Sequence, residues 1–383
     1  MPEKQVLSNI AVRKEPEWLK EYRQKNTELL EKIPLKKNNF TNSEALWKRA
    51  QALQPEEKAL TISTKETTGI EMLPWELAVK EKEAEIRVAL EREAMPGNRI
   101  EAFVNAHFNN GFIAIAPKNF SQKKIVEIEL QVSRQCIAKN LLIAEENSQI
   151  NFLEKISGEK GLLLNESILL EQNTETVFCR MHLLEENFVL SQGVVLGKDA
   201  RMVNANAWLG GKEVKSTVVN RLAGQGASLQ QLDLLFGKQK QFFDLSLQNL
   251  HAGSDASSYS LFKAVLEQQA KSVFDGMIKI LPTGQRANAL LEAHSMLLSE
   301  NASSNNIPGL EIEADDVKAT HSASVAQLEE EHLFYLESKG IERKNAKKLI
   351  TTSFLEGVIL KMPQGFHEEI SSALDESLGR LLQ

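Results

Sequence analysis

The sequence of 383 residues predicts a mainly β protein with helical ends. Three observations carry that prediction. From about Phe103 to Leu281, short apolar runs recur every roughly 8 to 15 residues, punctuated by Asn, Gly, Ser and Glu, which is the spacing of strands and turns. Few stretches between these runs are long enough to supply the crossover helices of a doubly wound sheet. On both flanks the apolar residues change to helical spacing.

In chain order, Trp18, Tyr22, Leu29, Leu30 and Ile33 recur near helical spacing between Glu15 and Ile33, while Lys20, Glu21, Arg23 and Lys25 fill the other face. They predict an amphipathic helix. A Lys- and Asn-rich link at Lys36–Asn39 leads to a second helical patch at Ser43–Leu53, and Pro74 interrupts the pattern before Trp75–Glu91 resumes it. Residues 1–95 are therefore expected to form a helical N-terminal domain. Its charge runs, such as Lys80-Glu81-Lys82-Glu83, read as a solvated helix face.

The β core is expected over residues 96–322, with Phe112–Ala116, Leu141–Ala144, Ile150–Leu153, Leu162–Leu164, Ile168–Leu170, Val177–Cys179, Val194–Leu196 and Leu232–Phe236 as its apolar runs. A sandwich, a barrel and a parallel β-helix all fit this pattern. Only Asn110-Gly111 is a strong hairpin dipeptide, whereas corners such as Glu145-Glu146-Asn147-Ser148 and Ala223–Ser228 suit a solenoid.

Toward the C-terminus, Leu310-Glu311-Ile312 alternates as a half-buried strand does, and Ala314-Asp315-Asp316-Val317 is expected to continue it toward His321. Ser324 with Gln327 three residues on predicts a capping box, and Gly340 followed by Ile341 predicts the stop of a helix of about four turns. Beyond it, Pro363 separates two apolar faces. One comprises Ala346, Leu349, Ile350, Phe354, Val358 and Ile359; the other Ile370, Ala373, Leu374, Leu378, Leu381 and Leu382. Residues 323–383 are expected to form a helical C-terminal domain that packs on itself.

Composition narrows the function. The net charge is −7 and the pI about 5.7, unlike the basic footprint of a nucleic-acid binder. No apolar run approaches the ~20 residues of a membrane span, and the first residues lack a signal-peptide core, so a soluble cytoplasmic protein is expected. Cys136 and Cys179 permit neither a disulfide framework nor a Cys-x-x-Cys site, so the chain cannot hold a cluster alone through four thiolates. Both lie in strand-like runs and read as buried packing residues. The seven histidines include no His-x-x-x-His pair, and Glu329 with His332 lacks the second pair a di-iron bundle needs. Asp244 and His251 are an odd number apart, hence on opposite faces of any strand, and read as structural. Gly210-Gly211-Lys212 is a tight corner rather than a phosphate loop.

Four blocks carry a family resemblance: Asn140–Glu154 (NLLIAEENSQINFLE), Trp208–Ala227 (WLGGKEVKSTVVNRLAGQGA), Ser257–Ile280 and Gly309–Ile341. The chain resembles the SufB/SufD family, scaffold subunits of iron–sulfur cluster assembly, and Glu15–Leu35 is similar to the opening helix of SufD members. The resemblance implies a right-handed parallel β-helix between helical ends, and a non-enzymatic role. It further implies a SufB-like partner bound through the β-helix, a SufC-like ATPase docked on the C-terminal helices, and a transient nascent iron–sulfur cluster at the partner interface. Flavin binding is left open. His321 matches the histidine that SufD-type members present at that interface, as a candidate cluster ligand or metal-binding group. Where SufB members carry a cysteine, this chain reads Ala293-His294-Ser295, and a later His-Glu-Ala motif reads His321-Ser322-Ala323. The departures favour SufD over SufB, with a SufB-like or homodimeric scaffold as the alternative. A β-helix enzyme acting on polysaccharide is a remoter one, resting on Asp315-Asp316, the only adjacent Asp pair.

Overall fold

The computed structural model describes residues 15–34, 43–52, 59–93 and 96–379. A short corner motif, repeated down the chain, organises it. At Asn119, Asn147, Asn173, Asp199, Gly226, Asp255 and Arg286 the backbone takes positive φ. Short polar side chains and glycine tolerate that conformation best. A small residue follows at most of these corners: Ser148, Thr174, Ala200, Ala227, Ala256 and Ala287. Each corner N–H donates to the next coil, as Asn147 does to the Gln172 carbonyl (3.0 Å) and Asp199 to that of Gln225 (2.8 Å). The Asn173 amide donates to Asn147, and Asn147 to Asn119, in a side-chain ladder (3.1 and 2.9 Å).

Strands joined by these corners alternate between two nine-stranded sheets. The first sheet holds β1 (Leu60–Lys65), β4 (Ser121–Val132), β6 (Gln149–Gly158), β8 (Glu175–Leu184), β10 (Arg201–Trp208), β12 (Ser228–Gly237), β14 (Ser257–Leu266), β16 (Asn288–Leu297) and β18 (Lys318–Gln327), in that order. The second holds β2 (Glu71–Pro74), β3 (Phe112–Ala116), β5 (Cys136–Ala144), β7 (Leu162–Leu170), β9 (Phe188–Leu196), β11 (Glu213–Leu222), β13 (Phe242–His251), β15 (Lys271–Ile280) and β17 (Ser303–Ile312). From β3 onward every pairing is parallel, giving a β-solenoid of about eight turns. Of the three all-β architectures that fit the apolar spacing, this is the β-helix.

The N-terminal end differs from expectation. Residues 60–74, read as part of a helical domain, contain β1 and β2, which pair antiparallel with β4 and β3 and seal the first coil. Ala59 and Ile70 are buried there against the interior of the solenoid. The helices are α1 (Glu17–Lys32), α2 (Ser43–Ala52), α3 (Trp75–Glu81), α4 (Glu83–Arg92) and α5 (Arg99–His107). They cover part of the outer face of the second sheet, burying Trp75, Ile86 and Phe103 with Ile137, Leu141 and Leu163. Arg23 pins α1, donating to the Ala106 carbonyl (3.0 Å) with its guanidinium 4.1 Å from the Phe108 ring centre. The Lys36–Asn39 link lies outside the described residues.

The C-terminal part also differs. Ser324 does not start a helix: β18 runs through Gln327 in register with β16, from Lys318 opposite Asn288 to Gln327 opposite Leu297. The free edge of β16 offers a complete ladder of backbone partners, which outweighs a local capping box. Ala314–Val317 forms a corner between β17 and β18 instead of strand, so His321 lies in mid-strand. The helix begins only at α6 (Glu330–Ser338) and stops as expected, with Gly340 at φ 86° and the Ile341 N–H returning to the Leu336 carbonyl (3.2 Å).

Helices α7 (Arg343–Ile359) and α8 (His367–Gly379) follow. They do not pack only on each other. Leu355, Val358, Ile359, Phe366, Ile370, Leu374 and Leu378 are buried against Cys179, Ala207, Leu234 and Val265 on the outer face of the first sheet. Leu355 therefore belongs to the apolar face, whereas Leu349 is exposed; Leu381 and Leu382 lie outside the described residues.

Candidate functional site

The two ends of the solenoid are finished differently, and the unusual chemistry lies at the C-terminal one. Parallel stacking places residues of successive coils in rows. One row of the first sheet runs Phe178, Asn204, Gln231, Ser260, Leu291, His321. Phe178, Asn204, Gln231, Ser260 and Leu291 are all buried inside the solenoid. His321 continues the row on β18, yet it is exposed, because β18 is the last strand of its sheet among the described residues. Val325 on β18 and Leu310 and Ile312 on β17 share this situation. Leu310 and Ile312 stand in register with the fully buried Ile278 and Ile280, yet are 37% and 43% exposed, and Val325 is 45% exposed. The last coil thus presents what would be core to solvent.

Polar groups lie between these apolar ones. The Asn306 amide donates to the Ala293 carbonyl (3.3 Å), the Ser295 hydroxyl (3.0 Å) and the Ser324 carbonyl (3.1 Å), tying β17 to β16 and β18. Ser304 joins Ser295 and Ser272 (both 2.8 Å). Ala293 is buried and faces the interior, opposite Ala323 and two positions along β16 from the residue beneath His321. His294 faces outward, sharing a hydrogen bond with the Ser324 hydroxyl (2.8 Å). The two histidines therefore lie on opposite faces of the sheet.

Other predicted residues fall as follows. Asp315 and Asp316 sit in the last corner, exposed, with no ion pair to His321 among the described residues. Glu329 and His332 are exposed at the start of α6, and no group of three or more His, Cys, Asp or Glu able to hold a metal occurs among the described residues. Cys136 faces the solenoid interior, Cys179 the C-terminal helices, and burial pushes both thiols up to about 12, which suits packing rather than nucleophilic residues. His251 is fully buried, bonded to Ser258 (2.8 Å) and pushed down to about 4 by burial. Asp244, on the other face of β13, pairs with Lys215 (2.7 Å). Gly211, at φ 97°, makes a coil corner.

The sequence reading missed a buried polar chain inside the solenoid. Arg180 bridges Glu154 (2.5 Å) and Glu166, all three fully buried. Gln192 bonds Glu166 (2.7 Å), Asn204 bonds both Gln192 (2.8 Å) and Gln231 (2.9 Å), and Asn220, Asn249 and Ser260 extend the chain. Burial raises the Glu154 carboxyl against the pull of Arg180. The available signal was strand alternation: these residues share the inward parity of the apolar residues beside them.

A family model described as SUF system FeS cluster assembly, SufBD core domain, matches residues 128–354. The chain is 26% identical over 293 residues to the iron-sulfur cluster assembly protein SufD of Bacillus subtilis (strain 168), covering 73% of this chain and 67% of that protein. It is 29% identical over 194 residues to an iron-sulfur cluster assembly SufBD family protein of Mycobacterium leprae (strain TN), covering 48% and 49%. With the iron-sulfur cluster assembly protein SufD of Escherichia coli (strain K12) the identity is 27% over 161 residues, covering 42% and 38%. The chain thus spans from about two fifths to two thirds of these relatives' own lengths.

Proposed function

The chain belongs to the SufBD core family of the SUF iron–sulfur cluster assembly system, and from that premise we propose that it is a SufD-like scaffold subunit. It pairs with a SufB-like subunit through the C-terminal end of its solenoid, docks SufC-like ATPases through its C-terminal helices, and works in the cytoplasm without catalysing a reaction itself. The observation that carries this reading is the uncovered last coil. Exposed Leu310, Ile312 and Val325 beside an unpaired strand edge are what a second solenoid would bury. Each is already more than half covered, so completing its burial would contribute about 1 kcal/mol.

In that assembly His321 faces the partner. Its imidazole can donate to iron when neutral, or hold a proton near a partner thiolate. The interior-facing position at which SufB members carry a thiolate is Ala293, two positions along β16 from Leu291, the residue beneath His321, which leaves the soft sulfur ligand to the other subunit. The nascent cluster is cargo, passing through the interface.

Docking of the ATPase is supported by the exposed apolar side chains Phe334, Tyr335, Leu349 and Leu360 on α6, α7 and the α7 end. The coupling route is short. Lys263 on β14 donates to the Phe354 carbonyl of α7 (3.0 Å), and it shares a cross-strand row with His294 and Ser324. A shift of α7 driven by ATPase dimerisation would reach β18 across two strand pairings.

The test is His321→Ala, co-expressed with SufB-like and SufC-like subunits and purified without oxygen. Wild-type yield of the three-component complex with sharply reduced iron and sulfide is the expected result. Full loading would make His321 a bystander, and a collapse of pairing would make it an interface residue without a ligand role.

A further inference from the structure

A strand glycine with no structural need marks a second site. Gly193 lies in the middle of β9 on the outer face of the second sheet, with an ordinary extended backbone. A Cβ built on it meets nothing within 4 Å, whereas one on Gly237 or Gly276, also in strands, comes within 2.8 Å of a neighbouring side chain. Glycine weakens a strand, and it is found there where another group must approach closely. Among the described residues no group does so at Gly193.

The space above it is a cavity of about 740 Å³, closed on one side by α5 and floored by the second sheet. Its size falls within the range of small-molecule sites. Leu169, Val195, Leu250 and Met277 line the floor, and Arg221 stands in register between Val195 and Leu250. Nearby charges are already engaged: Arg92 with Glu171 (3.1 Å), Lys215 with Asp244 (2.7 Å), Glu93 with Lys139 (2.8 Å), and Arg99 with the Ile33 carbonyl (2.9 Å) and the Trp47 ring. Arg221 has no ion pair or hydrogen bond among the described residues. On the α5 side, the Glu101 carboxylate is held by the Gly97 N–H (3.0 Å) and by Ser191. Asp275, the remaining carboxylate, lies two strands beyond Arg221 on β15.

We propose that this cavity binds a small amphipathic anion, its flat apolar body lying across Gly193 and its carboxylate, phosphate or sulfonate on Arg221. An unpaired guanidinium between two apolar side chains suits such a ligand, because it pairs an acidic group in fork geometry while the body stays on hydrocarbon. The site lies on the side of the solenoid, apart from the open coil.

The experiment titrates the full chain with two fluorescent probes of similar shape, anionic 8-anilinonaphthalene-1-sulfonate and neutral N-phenyl-1-naphthylamine. Saturable one-to-one binding that favours the anionic probe at least tenfold is expected. Gly193→Ile, which places a strand-favouring side chain in the open space, lowers affinity for both probes at least tenfold at an unchanged melting temperature. Arg221→Gln removes only the preference for the anion. Val325→Glu, at the open coil, changes neither. Equal affinity for the two probes, binding that survives Gly193→Ile, or binding lost in Val325→Glu would overturn the proposal.

Discussion

The two ends of one solenoid solve the same problem in opposite ways. Any stack of coils leaves an uncovered core layer and two free strand edges at each end. At the N-terminal end, β1 and β2 reverse direction and pair antiparallel with the first coil. Lys65–Glu127 (2.9 Å) and Lys124–Glu66 (3.1 Å) fasten that rim, and Ala59 and Ile70 close the interior. At the C-terminal end no strand among the described residues turns back. α7 and α8 pass onto the side of the first sheet, and β18 stays exposed almost throughout. A fold that can cap one end and leaves the other bare has a surface whose stability cost is offset only when something binds it.

That contrast can be broken at either end. The largest effect is expected from Leu310→Glu with Val325→Glu, which places two charges where a partner solenoid would bury hydrocarbon. Affinity for a SufB-like subunit should fall at least a thousandfold, about 4 kcal/mol, with the melting temperature of the isolated chain unchanged. Titration calorimetry and a thermal melt on one preparation check both halves. Ile70→Ala at the capped end should do the reverse. Loss of a buried side chain against the first coil costs about 2–4 kcal/mol in denaturant unfolding, while partner affinity stays within twofold.

A smaller effect separates interior from ends. Burial holds the folded-state His251 down at about 4, below the unfolded value near ~6.5. The unfolded chain therefore takes up a proton that the native state refuses. Stability from this group is complete above about 6.5 and is lost as pH falls toward 4, reaching about 2 kcal/mol by pH 5. His251→Asn should shift the difference in stability between pH 7 and pH 5 by about 2 kcal/mol in favour of pH 5, relative to the wild type. Glu101, raised to about 7 by burial, works in the opposite sense over the same window and persists in the variant.

Much of this was legible in the sequence. The β character, the placement of both cysteines and the motif around His321 follow from strand spacing, from local context and from family blocks. The corner repeat was open to view as well, in Asn147-Ser148, Asn173-Thr174, Asp199-Ala200, Gly226-Ala227 and Asp255-Ala256, although coil length drifts from 26 to 32 residues and blurs the period. Other features depend on contacts between distant residues. Ser324 and Gln327 are good capping residues, and only the edge of β16, some thirty positions earlier, makes them strand. Likewise Arg180 reads as a charge in an apolar run until stacking brings Glu154 and Glu166 to it. Gly193 looks like any loop glycine in sequence; only the space around it shows otherwise.

The most direct measurement is hydrogen exchange of the full chain, alone and saturated with a SufB-like subunit, followed by mass spectrometry over all peptides. Protection concentrated in β17 and β18, residues 303–327, with the capped rim at 60–74 unchanged, is the predicted result. Unchanged exchange across 303–327 in a verified complex would contradict the account, because the partner would then be held elsewhere and the bare coil would need another explanation.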